Sequence, residues 1–202
     1  MLDRNLRVYK EELLTPVADN ALRRVHPTTL TLIGFAFGIG AGLAAWQGLY
    51  VLGFGLWALN RIFDGLDGTV ARRYNKQTDL GGYIDIMLDD VIYVFVVFMM
   101  ALGVNSLAGY IAVGALIASY RVNVTSWLYL STVLEKRQQG AKSNKEMTSV
   151  TMPPGLIEGT ETVVAYFIFF ALPGQMVWLF WAFTVLVTIT AAQRMVWAVR
   201  NL

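Results

Sequence analysis

Six of the eight aspartates in this chain lie between positions 64 and 90: Asp64, Asp67, Asp79, Asp85, Asp89 and Asp90. Five of these six fall inside, or at the mouth of, long apolar runs. A charge at the centre of a membrane-spanning helix costs about 2.5–3.5 kcal/mol on insertion scales, and neighbouring carboxylates also repel one another. A sequence keeps such a cluster only if something neutralises it. Divalent metal is the obvious candidate, because hard cations take oxygen ligands. All-oxygen ligation suits Mg²⁺, Mn²⁺ or Ca²⁺ and disfavours zinc. Two metals bridged by shared carboxylates are the usual arrangement for displacement at phosphorus.

The spacing sharpens this chemistry. Asp64 and Asp67 are i,i+3, and Asp85 and Asp89 are i,i+4, so each pair shares a helix face. Asp64 lies eight residues before Arg72, and Asp89 eight after Gly81. At about 1.5 Å per residue both sit about 12 Å in from the intervening turn, with Asp67 and Asp85 roughly 6–8 Å in. A helical hairpin would therefore present four carboxylates at two matched depths. Gly65, Gly68, Ala71, Gly81 and Gly82 strip bulk from the same mouth. They read either as helix-packing positions or as room for a phosphate or base. Arg72 can offer charge-assisted hydrogen bonds to phosphate.

Such residues need helices in lipid to position them. Of 202 residues, 56% are hydrophobic and only 15% charged, against about 25% charged in an average soluble domain. The mean hydropathy is +0.52. These values exclude a disordered chain and a soluble globule, and point to an integral membrane protein. Cysteine is absent, which excludes disulfides and thiolate metal sites, and the single histidine, His26, cannot build a histidine metal centre. His26, beside Pro27, reads as a surface residue. Six runs approach the roughly 20 apolar residues that a bilayer demands: 28–47, 50–72, 81–103, 107–133, 156–172 and 176–199. Gly34, Gly38, Gly40 and Gly42 in the first would let neighbouring helices approach closely. Trp46, Tyr50, Trp178 and Trp181 read as interfacial anchors.

Basic residues set the orientation. The links at 47–50, 103–106 and 173–175 contain no Lys or Arg. The alternate regions hold nearly all of them, including Arg72, Arg73 and Lys76, then Lys136, Arg137, Lys142 and Lys145. The pattern predicts an even number of spans with both termini in the cytosol. Residues 1–27 carry Leu2, Leu6, Tyr9 and Leu13 at helical spacing, with Arg4, Arg7 and Lys10 largely off that stripe. This predicts an amphipathic helix on the cytosolic leaflet, broken near Pro16. No cleavable signal peptide is expected. The fold class is thus all-α: an integral membrane bundle of six transmembrane helices with an N-terminal cytosolic amphipathic helix. Residues 1–27 form a juxtamembrane segment and 28–202 the transmembrane catalytic domain.

Read straight through, Asp64-Gly-Leu-Asp67-Gly68-Thr-Val-Ala71-Arg72, eight residues, Gly81, three residues, Asp85, three residues, Asp89 resembles the signature of the CDP-alcohol phosphotransferases. All eight defining positions and all spacings are met. Pro27-Thr28-Thr29-Leu30-Thr31 resembles that family's Pro-Asn-x-x-Thr entry to the first span, with Thr28 in place of Asn. The resemblance implies transfer of a substituted phosphate from a CDP-linked donor to an alcohol, with release of CMP. It implies that Asp64, Asp67, Asp85 and Asp89 hold two divalent cations, Mg²⁺ or Mn²⁺, and that Asp89 takes the acceptor's proton. It places Asp64, Gly68, Ala71, Arg72, Gly81 and Thr31 around the nucleotide. The partners it implies are a CDP-linked lipid, most naturally CDP-diacylglycerol, an alcohol acceptor, membrane lipids and a second copy in a homodimer, with no nucleic acid. The expected location is a bacterial or archaeal inner or cell membrane, with the active site facing the cytosol.

Residues outside the signature keep two readings each. Arg121, mid-span, would anchor a phosphate or pair with a carboxylate such as Asp90. Arg61, three residues before Asp64, is expected to pair with the acidic cluster. Glu158 and Glu161 would cap the fifth span's N-terminus or contact acceptor hydroxyls or an amine. The acceptor is open between inositol phosphate, glycerol phosphate, free inositol, serine and amino-alcohol chemistry. Outside the family, a cation transporter could also use intramembrane aspartates. Against it, no acidic residue of spans two and three continues to the far face, and Arg72 would have no role in a cation path.

Overall fold

In hydrocarbon a backbone must satisfy its own hydrogen bonds, so long apolar runs become helices. The computed structural model describes residues 15–16, 22, 24–140 and 155–202, and among them there is no β-strand. Helices α1 (Pro27–Trp46), α2 (Tyr50–Arg73), α3 (Asp79–Val104), α4 (Leu107–Lys136), α5 (Gly159–Ala171) and α6 (Met176–Asn201) follow in order, with a 3-10 turn at Pro173–Gln175 before α6. Each helix coincides with one predicted run. The predicted amphipathic helix over 1–27 falls largely outside the described residues.

Four of these stretches are long and apolar enough to cross a membrane: Pro27–Trp46, Asp79–Val104, Leu107–Lys136 and Pro173–Asn201. The other two depart from the six-span expectation for different reasons. At 24 residues α2 has the length, but it carries Arg61, Asp64, Asp67, Arg72 and Arg73. With 13 residues, α5 rises only about 20 Å against a hydrocarbon core of about 30 Å. Large apolar side chains face outward, including Val51 (90% exposed), Trp178 (79%) and Val199 (87%). Such a surface suits lipid, and the chain is an integral membrane protein.

Helix ends follow local capping chemistry. Pro27 opens α1, where the missing N–H costs nothing, and exposed His26 accepts from Thr28 N–H through Nδ1 at 3.3 Å. Thr78 Oγ1 accepts from Gly81 N–H at 3.0 Å at the start of α3. Asn105, at φ 47°, ends α3, and Ser106 Oγ caps α4 through Gly109 N–H at 3.1 Å.

Packing then places the helices. α1 lies against both α2 and α3, α4 against α6, and α5 against α2. Glycine makes the α1 seam close: a Cβ at Gly34 would meet Phe63 Cβ at 3.1 Å, and one at Gly38 would meet Ile92 at 2.8 Å. The core is aromatic, with Trp57, Tyr166, Phe169 and Phe180 fully buried. A smaller cluster of Leu30, Leu66 and Val70 receives Leu22 and Val25. Lys76 Nζ donates to the Val25 carbonyl at 3.0 Å, which ties the entry segment to the α2–α3 turn.

Candidate active site

The hairpin of α2 and α3 is wedged open rather than closed on itself. Both helices pack chiefly on α1, and little on one another. The small residues of α1 form the floor of the cleft that results. Asp64 and Asp67 from α2, Asp85 and Asp89 from α3, and Thr31 and Gly34 from α1 line one cavity there. The four aspartates predicted as ligands are therefore brought together, with Thr31 beside them.

Each carboxylate has its own setting. Asp67 is buried, with 5% of its surface exposed, and its Oδ2 accepts from the Thr31 hydroxyl at 2.6 Å. Asp64 and Asp85 lie close enough for their charges to act on it. Asp89 is more open, its side chain 33% exposed, and it forms an ion pair with Arg61. The contact is two-pronged, Nη2 to Oδ1 at 2.7 Å and Nη1 to Oδ2 at 3.4 Å. Arg61 thus joins the acidic cluster as expected, but its direct partner is Asp89 on α3, although Asp64 is also within charge range. Sequence spacing favoured a neighbour on the same helix. The guanidinium is turned across the cleft, where Tyr93 of α3 takes another of its donors, while Asn60 on α2 holds Nε.

Those partners were missed in the sequence. Asn60 Oδ1 accepts from Arg61 Nε at 2.7 Å, and Asn60 Nδ2 donates to the Gly34 carbonyl at 2.8 Å. The Tyr93 hydroxyl accepts from Arg61 Nη1 at 2.9 Å. The guanidinium carbon lies 4.7 Å from the Trp57 ring centre and 5.1 Å from that of Tyr93. A signal existed for two of them. Asn60 interrupts an apolar run beside Arg61, and Tyr93 is i+4 from Asp89 and so on its face.

The other signature residues sit nearer the α2–α3 turn. Gly68, Ala71, Arg72 and Gly81 do not line the cavity. Arg72 folds back over Gly68, where an added Cβ would stand 3.1 Å from its Nη1. Arg121 is exposed on α4 and close enough to Asp90 for their charges to interact. Neither lines the cavity. Glu158 and Glu161 form a reciprocal capping box at the start of α5, with Glu161 Oε2 accepting from Glu158 N–H at 3.1 Å. Glu158 Oε1 also accepts from Gly155 N–H at 3.1 Å. Those bonds favour the capping reading over acceptor contact.

Among the described residues, no group of three or more carboxylate, histidine or cysteine side chains converges as a ready-made metal cage. What fits a divalent cation is the donor chemistry: four carboxylates around one cavity, without sulfur or imidazole.

A family model described as CDP-alcohol phosphatidyltransferase matches residues 24–190. The inner membrane protein YnjF of Escherichia coli K12 is 35% identical over 172 residues, covering 82% of this chain and 80% of that protein. A bifunctional IPC transferase and DIPP synthase of Archaeoglobus fulgidus is 28% identical over 178 residues. The match covers 88% of this chain but only 34% of that relative. The fold is similar to that of the phosphatidylinositol phosphate synthase PgsA1 of Mycobacterium tuberculosis, solved with CDP-DAG bound. That likeness has a TM-score of 0.71 and 20% identity, over 91% of this chain and 92% of the other. The same enzyme solved with manganese and citrate gives a TM-score of 0.70 at 19% identity, over 90% of this chain and 87% of the other.

Proposed function

The chain belongs to the CDP-alcohol phosphatidyltransferase family, and on that premise we propose that it moves a phosphatidyl group from CDP-diacylglycerol to an alcohol and releases CMP. The observation that carries this reading is the cleft itself. Asp64, Asp67, Asp85 and Asp89 reach one cavity from two helices, beside Thr31 of a third.

In this reading the four aspartates hold two divalent cations, Mg²⁺ or Mn²⁺. When bound, the cations supply charge neutralisation for the donor pyrophosphate and the departing CMP. Asp89, more open than Asp67, takes the acceptor hydroxyl's proton, since an alcohol is a poor nucleophile at neutral pH. The alcohol oxygen forms a bond to the phosphatidyl phosphorus as the bond from that phosphorus to the CMP oxygen breaks. Thr31 orients Asp67. Gly68, Ala71, Arg72 and Gly81 receive the nucleotide at the turn end of the cleft, with Arg72 offering its guanidinium to phosphate. Residues 28–202 form the catalytic bundle, and 1–27 a segment on the cytosolic leaflet. The acceptor falls among polyol phosphates, polyols and amino alcohols.

The test is CMP release from labelled CDP-diacylglycerol by membranes carrying the protein, across a panel of alcohols. CMP should appear with at least one alcohol, stop in excess chelator and return with Mg²⁺ or Mn²⁺. Turnover that persists in chelator would reject the metal reading, and no CMP with any alcohol would reject the transferase reading.

A further inference from the structure

Arg61 has no part in the chemistry just described, yet its ion pair with Asp89 is tightly constrained. The Arg61 side chain is only 9% exposed. Burying a guanidinium is costly unless its donors are matched, and here they are. Nε is held by Asn60, and Nη1 by the Tyr93 hydroxyl. The Trp57 and Tyr93 rings lie against the guanidinium. Asn60 is itself anchored to the α1 backbone at Gly34. A cation needed only to offset charge could be left mobile. This one is aimed, and what it is aimed at is both oxygens of Asp89.

We infer that Arg61 is a positioning residue for phosphatidyl transfer, which claims Asp89, fixes its orientation as proton acceptor and limits its share of the metal relative to Asp64, Asp67 and Asp85. The inference rests on the functional reading above. It has a consequence of unusual sign. Arg61 competes with a bound cation for Asp89, so removing it frees a carboxylate for metal while releasing the proton acceptor from its aim. Metal binding tightens and transfer slows. A merely structural arginine would weaken both when lost.

The experiment uses the full chain in detergent, with wild type, Arg61→Gln and Arg61→Lys side by side. Mn²⁺ alone is titrated by calorimetry, and CMP release is followed separately. Arg61→Gln should bind Mn²⁺ about tenfold tighter or more, because a unit positive charge has left the cluster. Its turnover should fall on the order of a hundredfold through loss of alignment. Arg61→Lys keeps the charge without the fork, so Mn²⁺ affinity should stay near wild type and turnover should be intermediate. Unchanged or weaker Mn²⁺ binding by Arg61→Gln, or wild-type turnover, would overturn the inference. Should Arg61→Gln not fold, Tyr93→Phe removes one acceptor and keeps the charge. It should leave Mn²⁺ affinity unchanged and lower turnover about threefold to tenfold. Full turnover in that variant would count against the inference. If wild type binds Mn²⁺ but releases no CMP, the transferase reading fails by itself, while the direction of the Arg61→Gln shift in Mn²⁺ affinity still decides whether Arg61 holds Asp89 back from metal.

Discussion

Asp89 answers to two demands that pull against each other. A metal ligand gives its lone pairs to a cation, whereas a base needs one lone pair directed at the acceptor proton. Its greater openness than Asp67 suits the second demand, and its two-pronged contact with Arg61 fixes its orientation. Replacing Asp89 by Asn keeps the shape but removes the basic oxygen. Asp89→Asn should abolish CMP release while leaving CDP-donor binding largely intact, as measured by equilibrium binding of labelled donor. Turnover close to wild type in that variant would remove Asp89 from the base role. At this scale the carboxylates were legible in the sequence, since a charge within an apolar run stands out wherever the helix ends up. Asn60 and Tyr93 left only a faint signal, because their importance lies in a guanidinium that reaches them from another residue. The acidic cluster was visible, and the network that aims it was not.

Among the elements, α1 brings no carboxylate to the site, yet it sets the shape of the cleft. Its glycine face holds α2 and α3 apart at a set distance, and the cleft exists because of that wedge. An added Cβ at Gly38 would press on Ile92 at 2.8 and 2.9 Å, and Ile92 is buried and branched. Gly38→Ala should therefore cost about 1–3 kcal/mol by overpacking, read as a lower unfolding midpoint in detergent. Pairing it with Ile92→Ala should recover part of that loss, so that the double variant is less destabilised than the two single costs combined. Strict additivity would show that the two residues do not press on one another. The α5 cap gives an opposite kind of test. Glu158→Ala should cost about 1 kcal/mol of stability through loss of the capping box, with the acceptor KM unchanged. A large rise in acceptor KM at unaltered stability would return Glu158 to the acceptor site. The late start of α5, three residues beyond the predicted run, has the same origin, since residues 155–158 are spent on capping and on bonds to α6.

For the whole molecule the open physical question is which end of the cleft faces which side of the membrane. The absence of native cysteine makes this directly measurable. Gln139, beyond α4, lies beside the basic loop, and Gly174, in the 3-10 turn before α6, lies in a link without Lys or Arg. The positive-inside bias places these two positions on opposite sides. In intact cells an impermeant thiol reagent should label Gly174→Cys and spare Gln139→Cys until the membrane is opened. The reverse pattern would invert the topology and turn the carboxylate cleft away from the cytosol.

The sequence by itself determined the acidic cluster, its spacing, the helical class and the run of apolar segments. All of these are local, since residues three or four apart share a helix face in any packing, and a run of apolar residues is apolar wherever it lies. Tertiary structure alone decided which faces meet. It put α1 between α2 and α3, gave Arg61 to Asp89 across the cleft and spent Glu158 and Glu161 on backbone capping. Helix periodicity states which side chains point the same way, but not what they point at. That depends on how closely neighbouring helices can approach, and here the buried glycines of α1 set that distance.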